Sequence, residues 1–378
     1  MLQKIRVLHI IGSLNRGGFE TWLMYLLRLQ RPEIQFDFTV FQKGVMDEEA
    51  KSLGATIHYL PFHYPTILRH KKNLRKIIQD NKYDVVHYHS SSFSGMVMKI
   101  AAECGVPVRI DHAHNTQNAG KRFFINTIKS FYRQWIDLPQ IDRYATTILA
   151  CSQEAGEFFF GEQWNRKKPT NMVYCGIPLE PYNQQIDRDI RTKICNHYGI
   201  PNDAIVVGTL GRLTYQKNHE FLINVFNELA KRDKRYILFI GGEGESRKDL
   251  EKQIKTLSLQ DRVFVAGLCS NVPELLCQLF NVFVLPSHFE GLPICTIEAT
   301  AAGLHSVCSD SITKEMFQYV PENVTWQNLS ASYSSWCNAI EDGIKKRISP
   351  QEGITLIRKT PFEINQSMNT LLSYYKQL

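Results

Sequence analysis

Much is missing from this 378-residue chain, and each absence closes off a class of protein. No run approaches the roughly 20 consecutive apolar residues that cross a bilayer. The longest near the start, Val7–Ile11, has the length of a strand, and no small-residue cleavage site of a signal peptide follows it. The expected location is therefore the cytoplasm. No C-x-x-C pair occurs among the cysteines (Cys104, Cys151, Cys175, Cys195, Cys269, Cys277, Cys295, Cys308 and Cys337), and their number is odd. Neither a disulfide framework nor a zinc site is expected, and most should be reduced core residues. The G-x-G-x-x-G dinucleotide fingerprint is absent, so NAD is not inferred. No internal repeat or low-complexity segment is visible.

What is present is a globular composition, 43% hydrophobic and 21% charged. The length fits two domains of roughly 150–200 residues, each large enough to bury its own core. Charge is uneven: residues 1–178 hold 23 Lys and Arg against 15 Asp and Glu, whereas the remainder holds 21 against 22. The basic excess gathers in Arg69–Lys76, Lys121–Arg133 and Arg166–Lys168. Such patches suit an anionic surface, whether membrane, nucleic acid or a phosphorylated acceptor. Lys121–Arg133 interleaves cations with Phe123, Phe124, Phe131 and Tyr132. A peripheral membrane helix has that look, and so has a buried helix with a basic outer face.

Strand-like runs occur at Lys4–Ile11, Phe36–Phe41, Thr56–Leu60, Val85–His89, Val108–His112 and Thr147–Cys151, with helical stretches such as Thr21–Leu29 and Gly95–Glu103 between them. The pattern restarts with Ala204–Leu210, Tyr236–Ile240, Arg262–Ala266, Val282–Leu285 and Ser306–Cys308, separated by helices including Phe221–Arg232 and Asp249–Leu257. Two successive α/β patterns predict two doubly wound, Rossmann-like parallel sheets, joined near Ile177–Asn183. In such sheets ligands bind beyond the carboxyl ends of the strands.

Candidate chemistry stands at those ends. After the first strand comes Gly12-Ser13-Leu14-Asn15-Arg16-Gly17-Gly18-Phe19-Glu20, whose paired glycines suit a tight turn or a close backbone approach to an anion. Gly211-Arg212-Leu213-Thr214-Tyr215-Gln216-Lys217-Asn218 sets two cations five residues apart, a spacing that could grip a diphosphate. Gly241-Gly242-Glu243-Gly244 fits either another close approach or a plain turn. Phe289-Glu290-Gly291-Leu292-Pro293 then leads into a predicted helix carrying Glu298. Two carboxylates beside phosphate-binding cations favour a phosphorylated sugar over a simple glycoside. His87, His89, His112 and His114 lie near strand ends in the first half. Imidazole exchanges protons near neutrality, and an H-x-H pair on a strand also permits metal binding. No third ligand of suitable spacing appears, so metal is not expected.

Gly17-Gly18-x-Glu20, Gly211-Arg212 with Lys217-Asn218, Glu290-x7-Glu298 followed by Ala299 and Gly303, and Ser309-Asp310 occur in an order that resembles the retaining family 4 glycosyltransferases. The resemblance spans the chain to about residue 315. It implies the GT-B architecture, with two domains (1–180 plus about 360–378, and 181–359) facing across a cleft and the last helix, Phe362–Leu378, crossing back to the first. It implies donor-sugar binding by Gly17, Gly18, Arg212, Lys217, Gly242, Glu290, Gly291, Leu292 and Glu298. Catalytic roles fall to His114, Glu290, Arg212 and Lys217, with His112 as the alternative histidine. Arg212 and Lys217 would offset the diphosphate charge, so no cofactor or divalent metal is implied. The expected reaction moves a hexosyl unit from a nucleotide-diphosphate sugar, most commonly a UDP-sugar, to a glycan or lipid-linked acceptor in polysaccharide synthesis. A membrane surface is an expected partner; nucleic acid is not. The chain departs from the family pattern at Asn281, His305 and Cys175, none of which is a proposed ligand. A nucleotide-sugar epimerase and a non-catalytic nucleotide-sugar-binding protein are the alternative readings.

Overall fold

The computed structural model describes residues 4–61, 67–89, 93–116, 132–162, 164 and 170–377. Two compact units emerge, Met1–Cys175 with Ile364–Leu378, and Gly176–Glu363.

The first unit is built on a sheet of seven parallel strands: β1 (Ile5–Ile11), β2 (Ile34–Val40), β3 (Ile57–Tyr59), β4 (Val85–His89), β5 (Val108–Ala113), β6 (Thr147–Ala150) and β7 (Thr170–Met172). Their order is β3-β2-β1-β4-β5-β6-β7. The central strands are buried on both faces, as helix-covered parallel strands must be. One cover is helix Gly18–Arg28, which buries Trp22, Leu23, Met24, Leu26 and Leu27. The C-terminal helix Ile364–Tyr375 belongs to this unit. The Trp22 indole N–H donates to Ser367 Oγ at 2.9 Å, and that hydroxyl donates to the Tyr174 carbonyl at 2.6 Å. A side chain on the last helix thus ties the first helix to the end of the unit's main segment.

The second unit holds six parallel strands: β8 (Ile205–Leu210), β9 (Tyr236–Gly241), β10 (Val263–Gly267), β11 (Val282–Leu285), β12 (Ser306–Ser309) and β13 (Val324–Gln327). Their order is β10-β9-β8-β11-β12-β13. Val207, Leu238, Ile240, Val282 and Val284 pack with Leu222, Phe226 and Leu229 of helix His219–Leu229 and with Trp336 and Ile340 of helix Tyr333–Lys345. In both sheets the strand order reverses beside the first strand, between β1 and β4 and between β8 and β11. That reversal opens a ligand crevice at the carboxyl ends.

The two doubly wound sheets are those expected, and the buried strands begin and end within two residues of their predicted limits. Two edge strands, β7 and β13, were not anticipated. The sequence of β13, Val-Thr-Trp-Gln, is only half-buried along its length, so no apolar run announces it. Among the described residues no helix is long and apolar enough to cross a membrane. The Lys121–Phe131 and Arg166–Lys168 parts of the basic patches lie outside the described residues.

Gly208 of β8 has no side chain because the Phe280 ring occupies the space: a Cβ there would lie 2.0 Å from the ring. Gly208→Ala is expected to lower stability by about 1–3 kcal/mol through overpacking. Urea denaturation measures this, and an unchanged midpoint would mean that the ring moves aside freely.

Candidate active site

In the second unit, β8 ends at Leu210 and the chain passes through Gly211 and Arg212 into a 3-10 turn, Tyr215–Lys217. Asn218 follows in the left-handed region (φ 55°), which asparagine tolerates better than most residues. Asn218 Nδ2 donates to the Pro286 carbonyl at 3.1 Å, and Gln216 Nε2 to that of Phe289 at 3.1 Å. The His288 N–H donates to the Gln216 carbonyl at 2.9 Å. These bonds stitch the loop after β8 to the loop after β11, across the point where strand order reverses.

Lys217 and Glu290 meet within that stitch. Lys217 Nζ lies 2.7 Å from Glu290 Oε1, with the side chains 14% and 6% exposed. The other carboxylate oxygen accepts from Gln216 Nε2 at 3.1 Å. Burial works against the ammonium, but the charge and hydrogen bond of Glu290, together with Cys295, more than offset it and hold the Lys217 pKa above its ordinary value. Gly211 leaves room for the lysine stem, since a Cβ there would stand 2.9 Å from Lys217 Cε. Arg212 is exposed and close enough for its charge to act on Lys217.

Helix Ile294–Ala301 completes the group. Burial pushes the Cys295 thiol up to about 12, Lys217 opposes the rise, and Glu290 and Glu298 add to it. Cys295 therefore sits amid Lys217, Glu290 and Glu298, and the second unit gathers these with Arg212 in one neighbourhood. Glu290 lies in the loop, Glu298 is buried in the helix, and Gly291 and Leu292 are buried between them. Gly242 has a structural reason of its own. A Cβ there would lie 1.9 Å from the Gly211 carbonyl oxygen, and one at Gly244 2.3 Å from that of Leu213. The passing backbone of the β8 loop accounts for both glycines without a ligand.

In the first unit Gly17 caps helix Gly18–Arg28, and a Cβ on it would lie 2.2 Å from the Glu20 carboxylate, which folds back over it. Beyond lies a layer of five imidazoles. Register pairs His9 with His87 and His89 with His112, and His114 follows β5 by one residue, so alternation puts all five on one face. His9 Nδ1 lies 2.9 Å from His89 Nε2, and His89 Nδ1 lies 2.8 Å from His114 Nε2. The Tyr375 hydroxyl is 2.7 Å from His87 Nδ1, and His87 Nε2 is 3.1 Å from His112 Nδ1. Phe19 stacks on His89 and His114. Burial drives the pKa of His9 and of His114 down to about 3, and those of His87, His89 and His112 well below the usual value.

Two sets of nitrogens, His9-His87-His89 and His89-His112-His114, each lie within 4.8 Å of one another and could hold a metal ion. The expectation that no third ligand accompanies an H-x-H pair is corrected here. His9 comes from β1, some 80 positions away, and parallel register delivers it. His9 and the hydroxyl of Tyr375 were not foreseen as site residues; Gln216 and Cys295 stood inside motifs without a role.

Two parallel Rossmann-like units of this kind define the GT-B class. In the Anabaena protein Alr3699/HepE, solved with UDP and glucose, the same fold recurs with a TM-score of 0.81 at 17% identity, covering 99% of this chain and 100% of that one. Family models match in both halves: Glycosyltransferase Family 4 over residues 16–181 and Glycosyl transferases group 1 over residues 190–324. The putative glycosyltransferase EpsF of Bacillus subtilis is 31% identical, covering 98% of this chain and 96% of its own length. The capsular polysaccharide biosynthesis glycosyltransferase CapH of Staphylococcus aureus is 27% identical, covering 98% of each chain. The chain belongs to the group 1, family 4 glycosyltransferases.

Removing one member of a buried ion pair strands the other. Lys217→Ala is therefore expected to cost about 3–5 kcal/mol, and adding Glu290→Gln to recover part of it. Thermal unfolding of the two single variants and the double gives the coupling; strictly additive losses would show the pair to be unimportant to the fold.

The imidazoles are expected to make the fold acid-labile. Below pH 6.5 the unfolded chain takes up protons that the buried rings refuse, so stability rises with pH and falls as pH drops from 6.5 toward about 3. Each ring contributes a slope of up to about 1.4 kcal/mol per pH unit. Urea unfolding between pH 7.5 and 5.5, above the carboxylate range, should show it. A flat profile would mean the rings are charged or hydrated in the fold.

Proposed function

We propose that this glycosyltransferase moves a hexosyl unit from a UDP-sugar to a glycan or lipid-linked glycan in polysaccharide biosynthesis, with retention of anomeric configuration. The observation that carries the proposal is the buried Lys217–Glu290 pair, with Arg212 and Glu298 beside it, at the carboxyl ends of β8 and β11. A diphosphate arriving there offers Lys217 and Arg212 a stronger anion. Glu290 is then released from Lys217 and accepts hydrogen bonds from sugar hydroxyls, while Glu298 accepts from the ribose. As the bond between the anomeric carbon and phosphate oxygen breaks, the two cations offset the charge gathering on the leaving diphosphate. The acceptor oxygen forms its new bond on the face the phosphate vacates, and its proton passes to a phosphate oxygen. Charge compensation by these side chains supports a reaction that needs no divalent metal.

Relatives support the substrate class. Besides CapH, an Escherichia coli protein 28% identical over 74% of this chain is a UDP-Gal:alpha-D-GlcNAc-diphosphoundecaprenol alpha-1,3-galactosyltransferase.

The test supplies UDP-sugars with and without a diphosphoundecaprenol-linked sugar, in EDTA, and reads the product's anomeric proton by NMR. An α-linked product from an α-donor is expected, with turnover reduced about 100-fold or more in Glu290→Gln and Glu298→Gln. A β-linked product would overturn retention. An altered donor sugar formed without acceptor would identify an epimerase, and a thermal shift without turnover a binding protein.

A further inference from the structure

Three rings in the first unit are joined edge to edge: His9 Nδ1 to His89 Nε2 at 2.9 Å and His89 Nδ1 to His114 Nε2 at 2.8 Å. Burial keeps all three uncharged near neutral pH. A neutral imidazole carries one N–H and one lone pair. Two hydrogen bonds in series must then run in the same direction, which leaves two arrangements. Either every ring is protonated on Nδ1, or every ring is protonated on Nε2.

The ends of the chain choose between them. At one end His9 Nε2 is buried without a hydrogen-bond partner, within 5.4 Å centroid distance of the rings of Phe36 and Phe38. Protonation on Nε2 would leave a buried N–H with no acceptor, among the rarest of defects in folded proteins. Protonation on Nδ1 leaves only a bare lone pair there. At the other end His114 Nδ1 lies 4.0 Å from Cys175 Sγ, and a thiol is a weak donor and a weak acceptor alike. That end expresses little preference, so the His9 end decides.

We propose that His9 and His89 are positioning residues which fix the proton of His114 on Nδ1, making His114 a neutral hydrogen-bond donor to the ligand and not a general base. The lone pair of His114 is spent on His89, and Phe19, stacked at 4.7 Å, holds the ring plane. Proton transfer in the reaction is thereby left to the leaving phosphate. This role rests on the assignment of His114 to the active site; the tautomer does not.

The full chain, labelled with 15N-histidine, answers the question through long-range 1H–15N spectra, with His114 assigned by its loss in His114→Gln. The expected result is a bare Nε2 and a protonated Nδ1 on His114, unchanged between pH 5.5 and 8. In His89→Phe the donor to Nε2 is gone, so His114 should pass to the Nε2–H form, with KM for the donor sugar raised about 3- to 10-fold. Should that variant fail to fold, His89→Gln, which keeps a donor and an acceptor, should retain the native tautomer. An Nε2–H signal from native His114, or a tautomer indifferent to His89→Phe, overturns the proposal. Full turnover by His114→Phe, which has no donor, overturns the donor role of His114, and the native spectrum reads the chain independently of turnover.

Discussion

Lys217 and Glu290 are tolerated out of water because each neutralises the other. The rest of the second unit's site is arranged around that condition. The loop after β8 must reach the loop after β11, and the three hydrogen bonds through Gln216, Asn218 and His288 hold it there. Gly211 must lack a side chain so that the lysine stem can lie against it. Gly242 must lack one so that the β9 end can pass under the same loop. Even the raised pKa of the Cys295 thiol reflects the same surroundings, with burial pushing it up and Lys217 opposing the rise. A buried ion pair with so much supporting architecture adds little net stability by itself. What it does impose is mutual dependence: neither charge can be withdrawn without leaving the other unbalanced in the same place.

Parallel sheets made the fold legible. A strand covered on both faces is rich in β-branched and apolar residues, so Val282–Leu285, and Val7–Ile11 and Val85–His89 despite their histidines, announced themselves, and their alternation with helices gave the layers. The last strand of each sheet lacks that signal. An edge strand such as Val324–Gln327 is paired on one side and half-buried, and its four residues make no apolar run long enough to stand out.

The candidate site was legible where its residues follow one another along the chain. Arg212 and Lys217 share a loop, and Glu290 and Glu298 share a loop and the helix after it. The imidazole layer was legible only in part. His87 with His89 and His112 with His114 show by their spacing that each pair shares a face. Spacing along the chain cannot show that β1 lies next to β4 in a register opposing His9 to His87. Nor can it show that the final helix returns its Tyr375 hydroxyl to the same layer. Both depend on strand order and on a crossover, which are tertiary facts.

The two sheets use equivalent positions in opposite ways. Beyond β8 and β11 the second unit concentrates full charges and balances them. At the ends of β1, β4 and β5 the first unit concentrates groups that could be charged and keeps them neutral. Aliphatic side chains would fill that face as well as five imidazoles and at no cost in acid stability, so packing does not explain the rings. Neutral imidazole supplies what an aliphatic cannot, a donor and an acceptor at fixed separation on a rigid ring. Linked edge to edge on adjacent parallel strands, such rings carry a hydrogen-bond direction from the sealed end at His9 to the half-buried His114. Burial lowers the pKa values and so keeps that direction from being scrambled by protonation, and an expected loss of stability in acid is the cost of that order.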